Sequence, residues 1–291
     1  VSYNEELVGK ALHDVRDKVV IATKMGVYHN ADLSLTVDSR PETILKSVEG
    51  SLKKLGTDYI DLYYQHRIDP NIEPEIVAET MGQLIKEGKI RYWGISETTE
   101  EYLRRANAVC PVTAIENRYS MMAQWHEAIF PACEELNIAF VSFSPMANGF
   151  LTGKYTPETN FEGKQDYRAG MPQYTQEGYE KAKALLELLT DMAEEKHATM
   201  GQLSLAWMLC KKPYIVPIPG SRKPERLREN FEAGNIVLTR EEISMIDSKL
   251  ETMQFEVFGG HNIIAENGTI LKESSRYVNE IIYSELDLQR I

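Results

Sequence analysis

No apolar run in these 291 residues approaches the ~20 that a helix needs to cross a bilayer, so no membrane-spanning helix is expected. Positive charge is in short supply: 32 Lys and Arg face 44 Asp and Glu, for a formal charge of -12. Nucleic-acid phosphates and anionic lipid surfaces both demand clustered cations, so neither is an expected partner. Cysteine is sparse too. Cys110, Cys133 and Cys210 are far apart, form no CxxC pair and lie among apolar residues of predicted helices, as buried free thiols of a reducing compartment do. No GxGxxG follows a predicted strand, which argues against a Rossmann dinucleotide site. With no signal-like run ahead of the first predicted helix, a soluble cytoplasmic protein is expected. Its oligomeric state is not legible.

What the chain does have is a globular composition, 43% hydrophobic, and a repeated order of elements. Short apolar runs rich in β-branched and aromatic residues recur: KVVIATKMG, DYIDLYYQHRI, IRYWGIS, VTAIEN, IAFVSFSPM and YIVPIPGS. Strands covered on both faces read this way. Between them run segments with apolar residues at i, i+3, i+4 spacing, such as SRPETILKSVEGSLKKLG and EPEIVAETMGQLIKEGK. Strand-then-helix alternation implies parallel strands with crossover helices, an α/β fold. Six such units are present, where a closed (β/α) barrel needs eight.

Two segments break the rhythm. Residues 149–175 form a long Gly/Pro/Asn/Asp-rich stretch after a strand end, the position of a lid over a site. From Gly259 onward the pattern turns to antiparallel β, with Asn267-Gly268 a type I′ hairpin signal and EIIYSELDL a further strand. The expected organisation is a barrel-like body over residues 1–258 and a β-rich tail over 259–291.

In a parallel barrel, functional groups gather at the C-terminal ends of strands. The polar residues there are Lys24, His66 with Arg67, Ser96 with Glu97, Glu116 with Asn117, Ser144, and Ser221 with Arg222. A Lys and a His delivered by adjacent strands to one face suit proton transfer to a substrate oxygen, although taken alone a strand-end Lys is more often a solvated or ion-paired terminus and a lone His a structural residue. The segment IPGSRKPERLREN has its own physical content. A strand ending at Gly220 and Ser221, followed by a helix opened at Pro224, sets free N–H groups and a positive helix end beside Arg222, Lys223 and Arg226. That is an anion site, and the Arg fork suits phosphate.

The order and spacing of VVIATKMG, LYYQHRIDP, EGKIRYWGISE, FSPMANGFLTGKY and PIPGSRKPERLRENFEA resemble the aldo/keto reductases, from Asn4 to about Met253. The resemblance implies a (β/α)8 TIM-type barrel and NADPH-dependent reduction of small aldehydes or ketones without a metal. Lys24 matches the lysine that tunes the catalytic tyrosine of the family, and His66 the histidine that orients the carbonyl. Ser96 falls where the nicotinamide carboxamide is bound, with Glu97 next to it. Glu116 stands where Gln is usual, which keeps an acceptor, removes a donor and adds charge. Phe143 takes the place of the aromatic ring under the nicotinamide, where the ring is needed and the hydroxyl is not. Ser221 and Arg226 match the 2′-phosphate contacts, and Asn230 a position near the adenine.

In that family NEELVGKAL follows a strand end carrying the catalytic Asp and Tyr, which would fall before Val1. The first barrel units are therefore expected to be missing, and activity impaired, unless Tyr28, Tyr63 or Tyr64 substitutes or the chain is a fragment. Residues 259–291 resemble a stretch of the nitrilase-like domain of glutamine-dependent NAD synthetases, without its Glu, Lys and Cys catalytic residues, so amide hydrolysis is not implied. The tail is expected to cover the sheet edges left open. The alternatives to an active reductase are a catalytically deficient NADP(H)-binding regulatory protein and a fusion product.

Overall fold

The computed structural model describes residues 3–30, 34–159, 161, 166–253, 263–266 and 269–273. Its elements are α1 (Tyr3–Leu12), β1 (Ala22–Met25), β2 (Val27–His29), β3 (Leu35–Val37), α2 (Pro41–Leu55), β4 (Ile60–Gln65), α3 (Pro74–Lys86), β5 (Ile90–Ser96), α4 (Glu100–Val109) and β6 (Ala114–Arg118). Then follow α5 (Phe130–Leu136), β7 (Ala139–Phe143), α6 (Gln176–Glu195), α7 (Met200–Lys211), β8 (Ile215–Pro217), α8 (Pro224–Glu232), α9 (Arg240–Thr252), β9 (Ile263–Glu266) and β10 (Thr269–Glu273).

Six strands form one sheet in the order β1-β4-β5-β6-β7-β8, every neighbouring pair parallel. These are the six units read from the sequence. The eight-stranded barrel implied by the resemblance is not closed among the described residues, where β1 pairs only with β4 and β8 only with β7. Burial follows this topology. Ile60, Tyr63, Trp93, Ile95, Ile115 and Phe140 on the inner strands are fully buried, whereas Val20 just before β1 and Val216 in β8 are 77% and 48% exposed. The run beginning at Lys18 is accordingly a strand only from Ala22, because Lys18 belongs to a short 3-10 turn.

The helix ends follow local chemistry. α2 and α3 each open on a proline after an extended residue, where the missing N–H costs nothing. Gly56 closes α2 at φ 65°, a left-handed position that glycine adopts without strain. Thr99 caps α4 by accepting from Tyr102 N, and Thr239 with Glu242 forms a capping box on α9. α1 begins at Tyr3, so Asn4 lies inside it and Glu5 and Glu6 fall in its first turn. Buried Ile44 and Val48 of α2, Val77, Met81 and Leu84 of α3, and Leu103 of α4 supply the helical layer of the core.

The chain divides into two compact units. The first comprises residues 1–118, 126–145 and 208–227, and holds the sheet. The second comprises residues 119–125, 146–207 and 228–291. In the second, Trp207 stacks on Tyr119 at 5.5 Å between ring centres and donates from Nε1 to Asp247 Oδ1 at 2.9 Å. The long stretch after β7 is not a bare loop there: Tyr174 is buried and packs edge-on to Phe150 and Phe161, at 5.5 and 4.7 Å. Arg168 lies 4.8 Å from the rings of both Tyr155 and Phe161 and pairs with Asp166 at 2.6 Å. Cation–π contacts and aromatic edges thus give this Gly/Pro-rich segment its own small core.

Beyond α9, β9 and β10 pair antiparallel in a two-stranded sheet of their own. The Asn267-Gly268 turn and the EIIYSELDL segment lie outside the described residues. Among the described residues no helix is long and apolar enough to cross a membrane.

Candidate active site

Because all six strands run the same way, their C-terminal ends deliver Lys24, His66, Ser96, Glu116 and Phe143 to one edge of the sheet. Lys24 is the third residue of β1, and the His66 N–H, one residue past β4, donates to Met25 O at 3.0 Å. Both side chains line an open cleft of about 920 Å³ that also takes in Tyr28, Asp38 and Arg40. Lys24 Nζ meets Glu116 Oε2 at 2.9 Å, the two side chains being 27% and 7% exposed. The ammonium also stands 5.5 Å from the centre of the Tyr64 ring. Gly94 makes room for that ring: a Cβ there would collide with Tyr64 and with the Ala114 carbonyl.

Ser96 is buried, and its Oγ accepts from Arg67 Nη1 at 3.1 Å, so its own hydroxyl proton is left to donate. Glu97 has φ 54°, a left-handed conformation that costs a non-glycine residue free energy and tends to mark functional turns. Its N–H donates to Glu116 O at 3.1 Å, while its Oε1 accepts from Arg118 N at 2.8 Å and lies 3.7 Å from His126 Nε2. Phe143 is half-buried with the Arg118 guanidinium 5.6 Å from its ring, and Ser144 follows at φ 53°.

After β8 the chain passes through Gly220, Ser221, Arg222 and Lys223 into α8. Ser221 Oγ accepts from Lys223 N at 3.1 Å, and Lys223 O accepts from Arg226 N and Leu227 N. In a chain where most buried or half-buried cations are paired, Arg222, Lys223 and Arg226 have no carboxylate partner among the described residues. Gly220, Arg222 and Lys223 are exposed, and Ser221 and Arg226 half-buried. Asn230 lies on the second half of α8, in the other unit, so its assignment rests on the resemblance alone.

Of the three tyrosines considered as proton donors, Tyr63 and Tyr64 are sealed in the core. Burial pushes both phenols far up from their ordinary range, and the Tyr64 hydroxyl has no hydrogen-bond partner among the described residues. Tyr28 is different: it is 42% exposed, lines the cleft with Lys24 and His66, and shares a hydrogen bond with Ser47 Oγ at 2.9 Å. Sequence reasoning missed His126, which reaches the strand ends from a 3-10 turn (Trp125–Ile129). It also missed the hairpin of β2 and β3 that carries Tyr28. Strands of three residues leave too little alternation to detect.

A parallel α/β sheet with a Lys/His cleft at the ends of β1 and β4 and a basic helix start after β8 offers a small molecule polar groups and an anionic group a place to bind. Comparison with known proteins makes this specific. The aldo/keto reductase family model matches residues 2–251, and the chain belongs to that family. It is 36% identical over 277 residues to an aldo-keto reductase of Strobilurus tenacellus, covering 93% of this chain and 80% of that protein. A probable aldo-keto reductase of Glycine max is 37% identical over 245 residues, covering 84% and 70%. Among solved structures, a glycerol dehydrogenase from Gluconobacter oxydans superposes with a TM-score of 0.81 at 28% identity, covering 87% of this chain and 78% of that one. An aldo/keto reductase from Klebsiella pneumoniae, solved with NADP and acetate, gives a TM-score of 0.65 at 25% identity over 87% and 77%. The chain is thus similar over most of its length to NAD(P)-dependent oxidoreductases.

Proposed function

We propose that the chain is an NADPH-dependent reductase of small aldehydes or ketones, with its reaction centre at Lys24 and His66. The observation that carries the reading is the meeting of these two side chains in one cleft at the C-terminal ends of adjacent parallel strands. The donor set also fits the cofactor: Arg222, Lys223 and Arg226, which have no carboxylate partner among the described residues, and the N–H groups opening α8 offer what a 2′-phosphate requires. Ser96 and Glu116 present a donor and an acceptor suited to a carboxamide. Bound NADPH would supply the hydride. The chain's own part is to hold the carbonyl and to proton the oxygen as charge develops there, a contribution of ~10²–10⁴-fold in typical general acid catalysis. His66 orients the carbonyl, Lys24 provides a positive charge, and Tyr28 is the phenol within the cleft able to give up a proton.

A panel of short aldehydes with NADPH tests this. Turnover that falls at least about tenfold in Lys24→Met and in His66→Ala, with NADPH binding retained, supports the reading. Turnover unaffected by either change overturns it. The burial of Tyr63 and Tyr64 favours a second reading, an NADP(H)-binding protein without turnover, which predicts saturable cofactor binding and no aldehyde consumption by the unaltered chain.

A further inference from the structure

Lys24 and Glu116 belong to strands separated by two others, β4 and β5, or roughly 14 Å across three flat strand spacings. They nevertheless meet at 2.9 Å, so two long side chains bridge the intervening strands. The carboxylates that line the cleft beside Lys24, Glu5 and Asp38, are engaged elsewhere. Glu5 pairs with Lys54 at 3.5 Å and accepts from Thr23 Oγ1 at 2.9 Å, and Asp38 pairs with Arg40 at 2.7 Å. Among the described residues, Glu116 is therefore the carboxylate that balances Lys24, and the Tyr64 ring at 5.5 Å adds no formal charge. Lys46, also on the cleft wall, contributes further positive charge. A neutral side chain at position 116 would leave the surroundings of Lys24 one unit more positive.

We propose that the Lys24–Glu116 pair sets the charge of the nicotinamide site, and that Glu116 thereby determines how strongly the oxidised cofactor is held relative to the reduced one. The inference rests on the reductase reading above. The oxidised nicotinamide ring is a cation and the reduced ring is neutral, while the carboxamide, ribose and phosphates are common to both. Contacts to the shared parts cancel in the ratio of the two affinities, so the ratio reports the charge near the ring. A balanced pair tolerates the cation; an unbalanced ammonium repels it.

The test is to measure dissociation constants for NADP⁺ and NADPH, by fluorescence or calorimetric titration, on the full chain and four variants. Glu116→Gln, close to isosteric, removes the negative charge and should weaken NADP⁺ at least about tenfold more than NADPH. Lys24→Met leaves the carboxylate alone and should shift the ratio the opposite way. The double variant restores neutrality, so its ratio should return close to that of the unaltered chain, and Glu116→Asp, which keeps the charge, should hold the ratio near its original value. Equal changes for the two cofactors in Glu116→Gln, or a ratio in the double variant that follows Glu116→Gln alone, would overturn the inference while leaving the reductase reading in place. If Glu116→Gln does not fold, the opposite displacement expected in Lys24→Met decides the matter. Failure of the unaltered chain to bind either cofactor would remove the reductase reading itself.

Discussion

Asn117 is wholly buried, and its amide orientation is fixed by the backbone of Thr98, whose N–H donates to Oδ1 and whose carbonyl accepts from Nδ2, both at 3.1 Å. Nδ2 also reaches His126 Nδ1 at 3.1 Å. With Asn117 donating, His126 Nδ1 accepts, and the ring proton sits on Nε2 toward Glu97. Burial lowers the histidine's pKa from 6.5, against the pull of Glu97. The unfolded chain therefore takes up a proton more readily as pH falls through 6.5, so stability present above that value is lost below it. Asp38 and Glu75, held low chiefly by hydrogen bonds from Arg40 and Arg105, lose their contribution only as pH falls below about 4.5. Melting temperature should fall between about pH 7.5 and 5.5, and His126→Gln should flatten that slope; an equally steep slope in the variant would count against the assignment. At the other end of the site, Arg226→Ala should weaken NADPH about tenfold and NADH much less, because only the former carries the phosphate. Equal losses would remove the 2′-phosphate role.

Elements differ in how plainly they were written in the sequence. The runs IRYWGIS and LYYQHRI read as strands because inner parallel strands are apolar throughout, and β5 spans Ile90–Ser96 as read. β1 is shorter than its apolar run, since an edge strand gains partners on one side only, and its burial drops accordingly. Lys24, His66, Ser96 and Glu116 were legible as strand-end polar residues, whereas the Lys24–Glu116 contact was not: it joins strands separated by two others, which no local pattern encodes. Nor was His126 legible, because its role comes from a turn that returns to β6. Caps offer a check at this scale. Thr99→Ala, which deletes the acceptor for Tyr102 N, should cost about 1 kcal/mol and lower the melting temperature by a few degrees. In the segment after β7, Arg168→Ala removes the cation held between Tyr155 and Phe161 and should speed proteolytic cleavage between residues 153 and 175; an unchanged rate would show the aromatic cluster to be self-sufficient.

At the scale of the whole molecule, the chain carries an excess of negative charge, -12 overall, yet gathers Arg222, Lys223 and Arg226 at the helix start of one unit. Such local reversal of sign guides an anionic ligand toward the site and makes binding sensitive to salt. Cofactor affinity should therefore weaken as ionic strength rises. The parallel sheet supplies the platform, and the family match over residues 2–251 supplies the chemistry it is built for. The two come together in a single measurement: NADPH consumption by the purified chain with a short aldehyde, run beside Lys24→Met at saturating cofactor. The account predicts steady NADPH loss with stoichiometric alcohol formation in the unaltered chain and at least about tenfold less in the variant. Saturable NADPH binding with no alcohol formed in either protein would contradict it.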